Sequence, residues 1–406
     1  MDTAIRSAEI LSVGTELLLG EIIDTNSSYL AADLASRGVD VYWSQRVGDN
    51  RKRIVHAVKQ ALERSDLLVM TGGLGPTDDD MTREAIAESL GETPTLDPKL
   101  EQDLRERFAK LSRSMPEKNL KQAWLIPSAQ SLANPRGTAP GWLVTTRTNG
   151  KTRFIVTLPG PPRELTRMWE LEALPRLPLA TSALFTQSFK TFGWGESQIA
   201  EKLGALTLES NPSVATYAKR DGVHVRVAAK ADTADNALLL AKEVVNKVET
   251  ILEPVTWGQD QDEITALIGR ALKTKGLTLA TFETSSGGLL SHLLTSVSDA
   301  ATAYRGGVVA YDMQAQAALD LNKGNDEASA LVIAEAAAQR LNADIGLALY
   351  EDLTGSSENK TYFLAVAGSG FKASQKLVLN TSLPADWLRE RASYAGLFLL
   401  WSQLRA

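Results

Sequence analysis

Residues 66–84 read Asp-Leu-Leu-Val-Met-Thr-Gly-Gly-Leu-Gly-Pro-Thr-Asp-Asp-Asp-Met-Thr-Arg-Glu. An apolar strand over 67–70 leads into a glycine-rich turn and then into a helix, as expected in a parallel sheet that is covered on both faces. Glycine lets a ligand approach the main chain closely, and the N–H groups of a turn before a helix suit a phosphate. The stretch therefore predicts an α/β fold with a phosphate-binding turn at a strand end.

Three consecutive carboxylates, Asp78, Asp79 and Asp80, follow this turn. They would repel a phosphate unless a cation lies between them, so the turn and the carboxylates together indicate a metal-bridged phosphorylated ligand. The alternative interpretation is structural: Asp80 caps the following helix, while Asp78 and Asp79 face water.

The bulk properties are those of a soluble protein with two or three domains. The chain has 406 residues, of which 44% are hydrophobic and 23% charged. The net charge of −6 and a pI near 5.4 disfavour non-specific nucleic-acid binding through the whole surface. A nucleic-acid partner is therefore not expected.

The residue types also restrict the chemistry of any site. There is no cysteine, and there are only three histidines, so thiolate and multi-histidine metal sites are not expected. A metal would be held by oxygen atoms, which favours a divalent ion of the magnesium, manganese or cobalt class. No apolar run reaches the roughly 18 residues that span a bilayer, and the N-terminus lacks the apolar core of a signal peptide. The sequence predicts a cytoplasmic protein with no membrane partner.

Strands and helices alternate through residues 1–175. Hydrophobic periodicity predicts strands at 10–13, 39–45, 67–70, 142–145 and 154–158, a helix over 27–37 capped by Asn26, and a helix over 50–65. This order predicts a doubly wound, three-layer αβα domain.

Four polar or glycine-rich loops fall at or just beyond strand ends. In a doubly wound sheet the ligand crevice lies at the carboxyl ends of the strands, so we expect these loops to converge. They are Gly14-Thr15-Glu16, Val47-Gly48-Asp49, Thr71-Gly72-Gly73 and Pro159-Gly160-Pro161.

The rest of the chain divides into two further segments. Residues 176–256 predict a small α+β domain, with a hairpin around Asp221-Gly222 and a helix over 234–252, and residues 254–263 predict a linker. Residues 263–406 are α/β again, with a strand over 277–282. The apolar helix over 388–404 is expected in a core or a subunit interface.

Taken together, the sequence resembles the CinA family (competence/damage-inducible protein A) along essentially its whole length. The motifs that carry the resemblance are Val13-Gly14-Thr15-Glu16-Leu17-Leu18, Asp24-Thr25-Asn26, Thr71-Gly72-Gly73-Leu74-Gly75-Pro76-Thr77, Asp80-Met81-Thr82-Arg83-Glu84, Asn119–Ala123, Asn134–Gly141 and Leu158–Pro162. The first domain is also similar to the molybdopterin-binding MogA and MoaB proteins, in which Asp49 and Asp80 match acidic positions. The middle domain resembles the KH-like linker domain of the family. Its Gly193-Trp194-Gly195-Glu196 lacks the spacing of a nucleic-acid-binding loop, which favours a spacer.

For the first domain, the resemblance implies a metal-dependent ADP-ribose pyrophosphatase that takes part in pyridine-nucleotide recycling. The candidates for metal and water are Glu16, Asp24 and Asp80, with Asp24 and Asp80 as metal ligands. Asn26 and Asp49 have the alternative of capping helices. The candidates for phosphate and nucleotide contacts are Gly14, Thr15, Asn26, Asp49, Thr71, Gly72, Gly73, Gly137, Thr138 and Gly160.

The last segment resembles the nicotinamide mononucleotide deamidase of the family, with departures at the expected site. Thr284 stands where the family has a serine nucleophile, and Gln316 where it has a lysine that assists the hydroxyl. An amide cannot accept a proton as a neutral lysine can. Residues 350–355 replace a glycine-rich loop. We predict a degenerate site that comprises Glu283, Thr284, Ser285, Ser286, Gly287, Gly288 and Gln316, in a structural domain that supports a homodimer. The alternatives are a deamidase that uses Thr284, or a non-catalytic pterin- or nucleotide-binding protein.

Overall fold

The computed structural model describes residues 4–405 except 111, 113, 320–323, 353–357 and 369. The chain divides into two compact units. One is Met1–Leu184 with Lys230–Ala237, and the other is Phe185–Ala229 with Leu238–Ala406.

The first unit is built on a six-stranded mixed sheet of order β2-β1-β3-β8-β7-β6. The first four strands in this order run parallel, and β7 and β6 are antiparallel additions. The strands of the unit are β1 (Ser7–Val13), β2 (Asp40–Val47), β3 (Leu67–Thr71), β4 (Thr95–Leu96), β5 (Trp124–Leu125), β6 (Ala129–Leu132), β7 (Gly141–Thr148) and β8 (Lys151–Leu158), of which β4 and β5 form a separate pair.

Helices cover both faces of this sheet. Alternation of side chains along β1 sends Ile10 toward Leu30 on one face and Leu11 toward Val58 on the other. The predicted three-layer αβα domain is therefore confirmed. The helices are α1 (Thr15–Leu19), α2 (Thr25–Ser36), α3 (Arg51–Arg64), α4 (Thr82–Leu90), α5 (Pro98–Lys110) and α6 (Pro162–Met168), with a 3₁₀ helix over Glu117–Ala123.

The predicted start of the second helix was wrong by two residues. Helix α2 begins at Thr25, and its cap is Asp24, whose side chain accepts a hydrogen bond from the Ser27 amide. Asn26 lies inside the helix and donates from Nδ2 to the Gly160 carbonyl at 2.7 Å. Asp and Asn both serve as caps, so composition alone did not distinguish the two positions.

In the second unit, the KH-like part is a four-stranded sheet of order β10-β11-β9-β12 with helices α7 and α8. The predicted hairpin and long helix are present. The linker prediction was wrong in part, because β12 lies within it and pairs antiparallel with β9, with Val255 and Trp257 buried two residues apart. The elements are β9 (Ala183–Thr191), α7 (Glu196–Leu203), β10 (Ser213–Lys219), β11 (Gly222–Ala231), α8 (Ala234–Leu252) and β12 (Thr256–Gln259).

The C-terminal part is a five-stranded mixed sheet of order β14-β13-β15-β16-β17, again with a core on each face. Its strands are β13 (Leu279–Glu283), β14 (Tyr304–Val309), β15 (Ile345–Glu351), β16 (Asn359–Gly368) and β17 (Phe371–Asn380). Its helices are α9 (Ile264–Lys275), α10 (Leu289–Thr295), α11 (Ser298–Ala303), α12 (Met313–Ala318), α13 (Glu327–Arg340) and α14 (Ala385–Arg405). The predicted apolar last helix is α14, and its buried residues belong to the core of this part. Among the described residues, no helix combines the length and apolar character needed to cross a membrane.

Candidate functional site

A cleft of about 620 Å³ opens in the first unit beyond the strand ends of its parallel sheet. Its walls include residues from all four loops that the sequence predicted to converge. The predicted site residues that line it are Gly14, Glu16, Asp24, Asn26, Asp49, Thr71, Gly72, Gly73, Asp80, Thr138 and Gly160. The parallel order of β2, β1, β3 and β8 brings these loops together, because it places their carboxyl ends at one edge.

Two predicted residues, Thr15 and Gly137, are not in the walls of this cleft. Thr15 instead orients Asp49: its amide and its hydroxyl donate to Asp49 Oδ2 at 2.9 and 2.8 Å. Asp49 is not a helix cap, since the cap of α3 is Asn50. The Gly137 amide donates to Asn134 Oδ1 at 2.9 Å.

The glycine turn has a backbone that other residues would strain. Gly72 has φ 88° and Gly73 has φ 65°, and a Cβ on Gly72 would lie 2.2 Å from the Val13 carbonyl oxygen. The Gly72 amide donates to the Leu158 carbonyl, and the Gly14 amide to the Val47 carbonyl. These amides extend the sheet ladders and are engaged within the protein.

The open donors of the turn lie one residue further along the chain. The amides of Gly73, Leu74 and Gly75 hydrogen-bond no residue in the described part of the chain, and all three residues line the cleft. Consecutive unpaired N–H groups in a turn form an anion-binding concavity. The phosphate-binding donors are therefore expected at 73–75, with Gly14 and Gly72 serving the backbone geometry.

Asp80 lies against this turn and does not cap α4. Its Oδ2 accepts from the Thr77 amide at 3.0 Å and from the Thr77 hydroxyl, and a Cβ on Gly75 would lie 2.3 Å from that oxygen. Helix α4 begins after Met81 without a side-chain cap, so the capping alternative for Asp80 is wrong.

The other two carboxylates of the triplet differ in position. Asp79 also lines the cleft, whereas the Asp78 side chain is 90% exposed and pairs with Lys118.

Two cations hold this region in place: Lys121, which the sequence offered as either a phosphate contact or a solvated side chain, and Arg83, to which it assigned no role. Lys121 donates to the carbonyls of Thr77 and Asp80 and pairs with Glu84 at 2.7 Å.

Arg83 is fully buried, and it donates to the Leu74 carbonyl at 2.8 Å and to the Pro140 carbonyl at 2.9 Å. Burial lowers the pKa of the Arg83 guanidinium to about 10. Arg83 therefore ties the glycine turn to the segment that contains Gly137 and Thr138.

Asp24 is buried at the cap position of α2, beside Ser12 of β1, and both of its carboxylate oxygens accept hydrogen bonds. Oδ2 accepts from the hydroxyls of Ser12 and Ser27 at 2.8 and 2.7 Å, and Oδ1 accepts from the Ser27 amide at 2.9 Å. Burial alone would raise the pKa of Asp24, but the hydrogen bonds from Ser27 and Ser12 and the charge of Arg46 outweigh it and hold the pKa below its usual value. Asp24 thus organises the start of α2.

Asp24→Asn is expected to lower the free energy of unfolding by about 1–2 kcal/mol at neutral pH, because an amide nitrogen cannot accept the serine hydroxyls. A carboxylate whose pKa is lower in the folded state stabilises above its unfolded pKa and loses that contribution as the pH falls through the folded value. The free energy of unfolding of wild type should therefore exceed that of Asp24→Asn by the full amount above about pH 5. This difference should shrink as the pH falls below 3.8. Urea unfolding across this range checks it, with the exposed Asp78→Asn as a control that should show no such difference. A wild-type advantage that does not depend on pH would contradict the assignment.

The carboxylates fit a metal only in part. Among the described residues, no group of three or more His, Asp and Glu side chains is arranged to hold an ion by itself. Magnesium is usually bound through one or two carboxylates together with substrate phosphates. Glu16 and Asp80 line the cleft and retain carboxylate oxygens without a hydrogen bond from any described residue, so they fit this mode. Asp24 is less open to an ion, because its two oxygens already accept three hydrogen bonds.

In the second unit, Glu283 of the deamidase-like segment is fully buried and satisfied. Oε2 accepts from the Ser286 hydroxyl and the Leu290 amide at 2.8 and 3.0 Å, while Oε1 accepts from the amide and hydroxyl of Ser291. Gly287 and Gly288, with φ 64° and 92°, make the turn into α10. Glu283 therefore fixes the first turn of this helix.

The Thr284 hydroxyl is also engaged within the fold. Thr284 is fully buried, and its Oγ1 accepts from the Glu351 amide at 2.9 Å and lies 3.5 Å from the Leu349 carbonyl.

Two other predicted residues of this site, Gln316 and Ser285, are buried as well. Gln316 donates to the Ala310 carbonyl at 3.4 Å. Ser285 Oγ is buried without a partner among the described residues. Of the replaced loop 350–355, residues 353–355 lie outside the described residues.

Thr284→Val is expected to cost about 1–2 kcal/mol of stability, because the buried Glu351 amide loses its acceptor. Thr295→Val removes an exposed helical hydroxyl of the same type and should change stability by less than about 0.5 kcal/mol. Urea unfolding of both variants checks the difference. Equal stability of Thr284→Val and wild type would contradict the role of this hydroxyl as the acceptor for the Glu351 amide.

Comparison with known proteins covers all three segments. Residues 9–179 match the family model described as a probable molybdopterin binding domain, residues 186–258 the damage-inducible protein CinA KH domain, and residues 261–362 the CinA C-terminal domain. A crystal structure of the protein CinA with unknown function from Thermoplasma acidophilum is 34% identical and covers 42% of this chain and 96% of its own, with a TM-score of 0.38.

Two curated relatives match over nearly the full length. A CinA-like protein of Deinococcus deserti is 45% identical over 399 residues, which is 97% of this chain and 96% of that protein. A CinA-like protein of Deinococcus radiodurans is 43% identical over 98% of both chains. At this identity and coverage, the chain belongs to the CinA family.

Proposed function

We propose that the first unit hydrolyses the pyrophosphate bond of ADP-ribose or a similar nucleoside diphosphate sugar, with a divalent ion of the magnesium, manganese or cobalt class, in pyridine-nucleotide recycling. The observation that carries the proposal is a single cleft that combines unpaired amides at 73–75 with the carboxylates of Glu16 and Asp80. The amides suit phosphate oxygens, and the carboxylates suit the cation that such an anion requires.

The reaction needs water to attack one phosphorus while the bridging oxygen leaves with the other phosphate. The new P–O bond forms as the P–O–P bond breaks, and the products are AMP and ribose 5-phosphate. Water supplies one oxygen and two protons, and because the second pKa of each phosphate monoester is about 6, up to two protons are released at neutral pH. A bound divalent ion would neutralise the diphosphate and lower the pKa of the attacking water.

The chain's own groups would position this chemistry. The amides of Gly73, Leu74 and Gly75 donate to phosphate oxygens. These donors are held in advance by Arg83 and by the positive-φ backbone that Gly72 and Gly73 adopt without strain. Asp80, oriented by Thr77, and Glu16 offer the oxygens for the ion. Hydrogen-bond donors that are already in position stabilise the negative charge of the transition state more than donors that must first reorganise.

We also propose that the deamidase-like segment is structural. The Thr284 hydroxyl already takes part in backbone hydrogen bonds, and Glu283 is fully used in the turn to α10. Purified protein is expected to release no ammonia from nicotinamide mononucleotide. Ammonia release that disappears in Thr284→Ala would overturn this part.

A non-catalytic pterin-binding role is the second candidate. It is favoured by the match of residues 9–179 to a family described as a probable molybdopterin binding domain. A phosphorylated pterin would use the same open amides. Binding of such a ligand without any turnover of ADP-ribose would favour this role.

The test of the leading proposal is product analysis. Full-length protein with ADP-ribose and magnesium is expected to form equal amounts of AMP and ribose 5-phosphate, separated by ion-exchange chromatography, and a chelator should stop the reaction. No product with any of magnesium, manganese or cobalt would contradict the proposal.

A further inference from the structure

Glu164 stands in the wall of the cleft, in the first turn of α6. This helix has Pro161 at its cap position and Pro162 at its first helical position. A glutamate three residues after a cap often reaches back to the N–H of the cap residue, but proline has no N–H. Capping therefore does not account for this carboxylate.

One oxygen of the Glu164 carboxylate is anchored, and the other is open. Oε2 accepts from Asn134 Nδ2 at 2.7 Å, while Oε1 accepts no hydrogen bond from a residue in the described part of the chain. Asn134 is 8% exposed, and its Oδ1 accepts from the amides of Arg136 and Gly137. Because these two amides fix the orientation of the Asn134 side chain, Nδ2 faces Glu164 and holds it in place.

The order of the sheet puts Glu164 and Glu16 on opposite sides of the open amides at 73–75. In the order β2-β1-β3-β8, these amides follow β3, Glu16 follows the neighbour on one side and Glu164 follows the neighbour on the other. The attacking and leaving oxygens of a phosphoryl transfer lie roughly in line, on opposite sides of the phosphorus. Since the proposed function already uses Glu16 for the ion, Glu164 is the anchored carboxylate on the side left for the attacking water.

The other carboxylates in the wall suit this position less well. Asp49 follows β2, on the same side as Glu16. Asp24 already accepts three hydrogen bonds, and Asp79 is exposed. Glu164 combines partial burial with one anchored and one open oxygen.

We infer that Glu164 is the general base of the hydrolysis and that Asn134 is its positioning residue. Glu164 Oε1 takes one proton from the attacking water, and the electron pair of that O–H bond forms the new P–O bond. The electron pair of the P–O bond that breaks stays on the bridging oxygen, which leaves with the other phosphate. Glu164 then gives its proton to solvent. This inference rests on the proposed function and adds to it the residue that activates the water.

The first test separates chemistry from binding. Glu164→Gln keeps an oxygen for Asn134 Nδ2 but cannot take up a proton, so kcat for ADP-ribose with full-length protein and magnesium should fall by about 100-fold. KM, and the affinity for the non-hydrolysable α,β-methylene analogue of ADP-ribose in titration calorimetry, should stay within about threefold of wild type. Glu170→Gln makes the same change at an exposed position outside the cleft and should keep the wild-type kcat.

The second test is chemical rescue, which a merely structural carboxylate would not show. Glu164→Ala leaves space in which formate can act as the base, so formate should raise its kcat by about tenfold or more. In Glu164→Gln the side chain fills that space, so formate should have no effect, as in wild type.

Three results would overturn the inference while an active wild type leaves the proposed function standing. They are a kcat of Glu164→Gln above about a tenth of the wild-type value, a loss that appears in KM instead of kcat, and no response of Glu164→Ala to formate. If wild type forms no AMP with magnesium, manganese or cobalt, the proposed function and the inference fail together.

Discussion

Asp80→Asn is expected to lower the rate of ADP-ribose hydrolysis by about 100-fold or more. The substitution removes the negative charge that would hold a divalent ion, but its amide oxygen can still accept the hydrogen bonds from Thr77. The local fold should therefore persist while the chemistry is lost. The measurement is the initial rate of AMP formation at saturating magnesium, with the melting temperature recorded to confirm folding.

Asp78→Asn is the matched control, because it makes the same chemical change two residues away. The Asp78 side chain is 90% exposed and outside the cleft, so the rate should stay within about twofold of wild type. If Asp80→Asn keeps more than half of the wild-type rate, or if both variants lose activity equally, the assignment of Asp80 is wrong.

Arg83→Met should be the most destabilising of the substitutions considered, at about 3 kcal/mol. Methionine fills most of the volume but leaves the buried carbonyls of Leu74 and Pro140 without a donor. It also removes the cation that lies 6.0 Å from the centre of the Trp142 ring. Because the glycine turn would lose its tie to the 134–140 segment, ADP-ribose hydrolysis should fall as well.

Urea unfolding measures this effect, with hydrogen exchange of β1 and β3 identifying the first unit as the part that loosens. Arg105→Met is the control, since Arg105 is half-exposed on α5 and pairs with Glu101 four residues earlier. Exposed pairs of this kind contribute about 0.3–0.5 kcal/mol. A similar small loss in both variants would show that Arg83 does not hold the turn.

The sequence predicted the sheet of the first unit well, for a physical reason. A fully buried strand such as β3 is a continuous apolar run, and its flanking glycine turn and helix leave few alternatives. Convergence of the four loops then followed from the parallel order alone. Helix starts were harder, because Asp24, Asn26, Asp49 and Asn50 are all good caps, and only packing selects among them.

The site chemistry was predicted less completely. Which amides remain open depends on which ones the sheet uses: the amides of Gly14 and Gly72 are engaged with carbonyls, whereas those at 73–75 have no partner among the described residues. Arg83 could have been suspected, since a charged residue on the buried face of a short helix must have a partner.

The most direct test is a crystal structure of the full chain with magnesium and the α,β-methylene analogue of ADP-ribose. The account predicts diphosphate oxygens within hydrogen-bond distance of the amides of Gly73, Leu74 and Gly75, and an ion bound by Asp80 and Glu16. A nucleotide bound elsewhere, or Asp80 and Glu16 turned into solvent with no ion beside an ordered diphosphate, would contradict it.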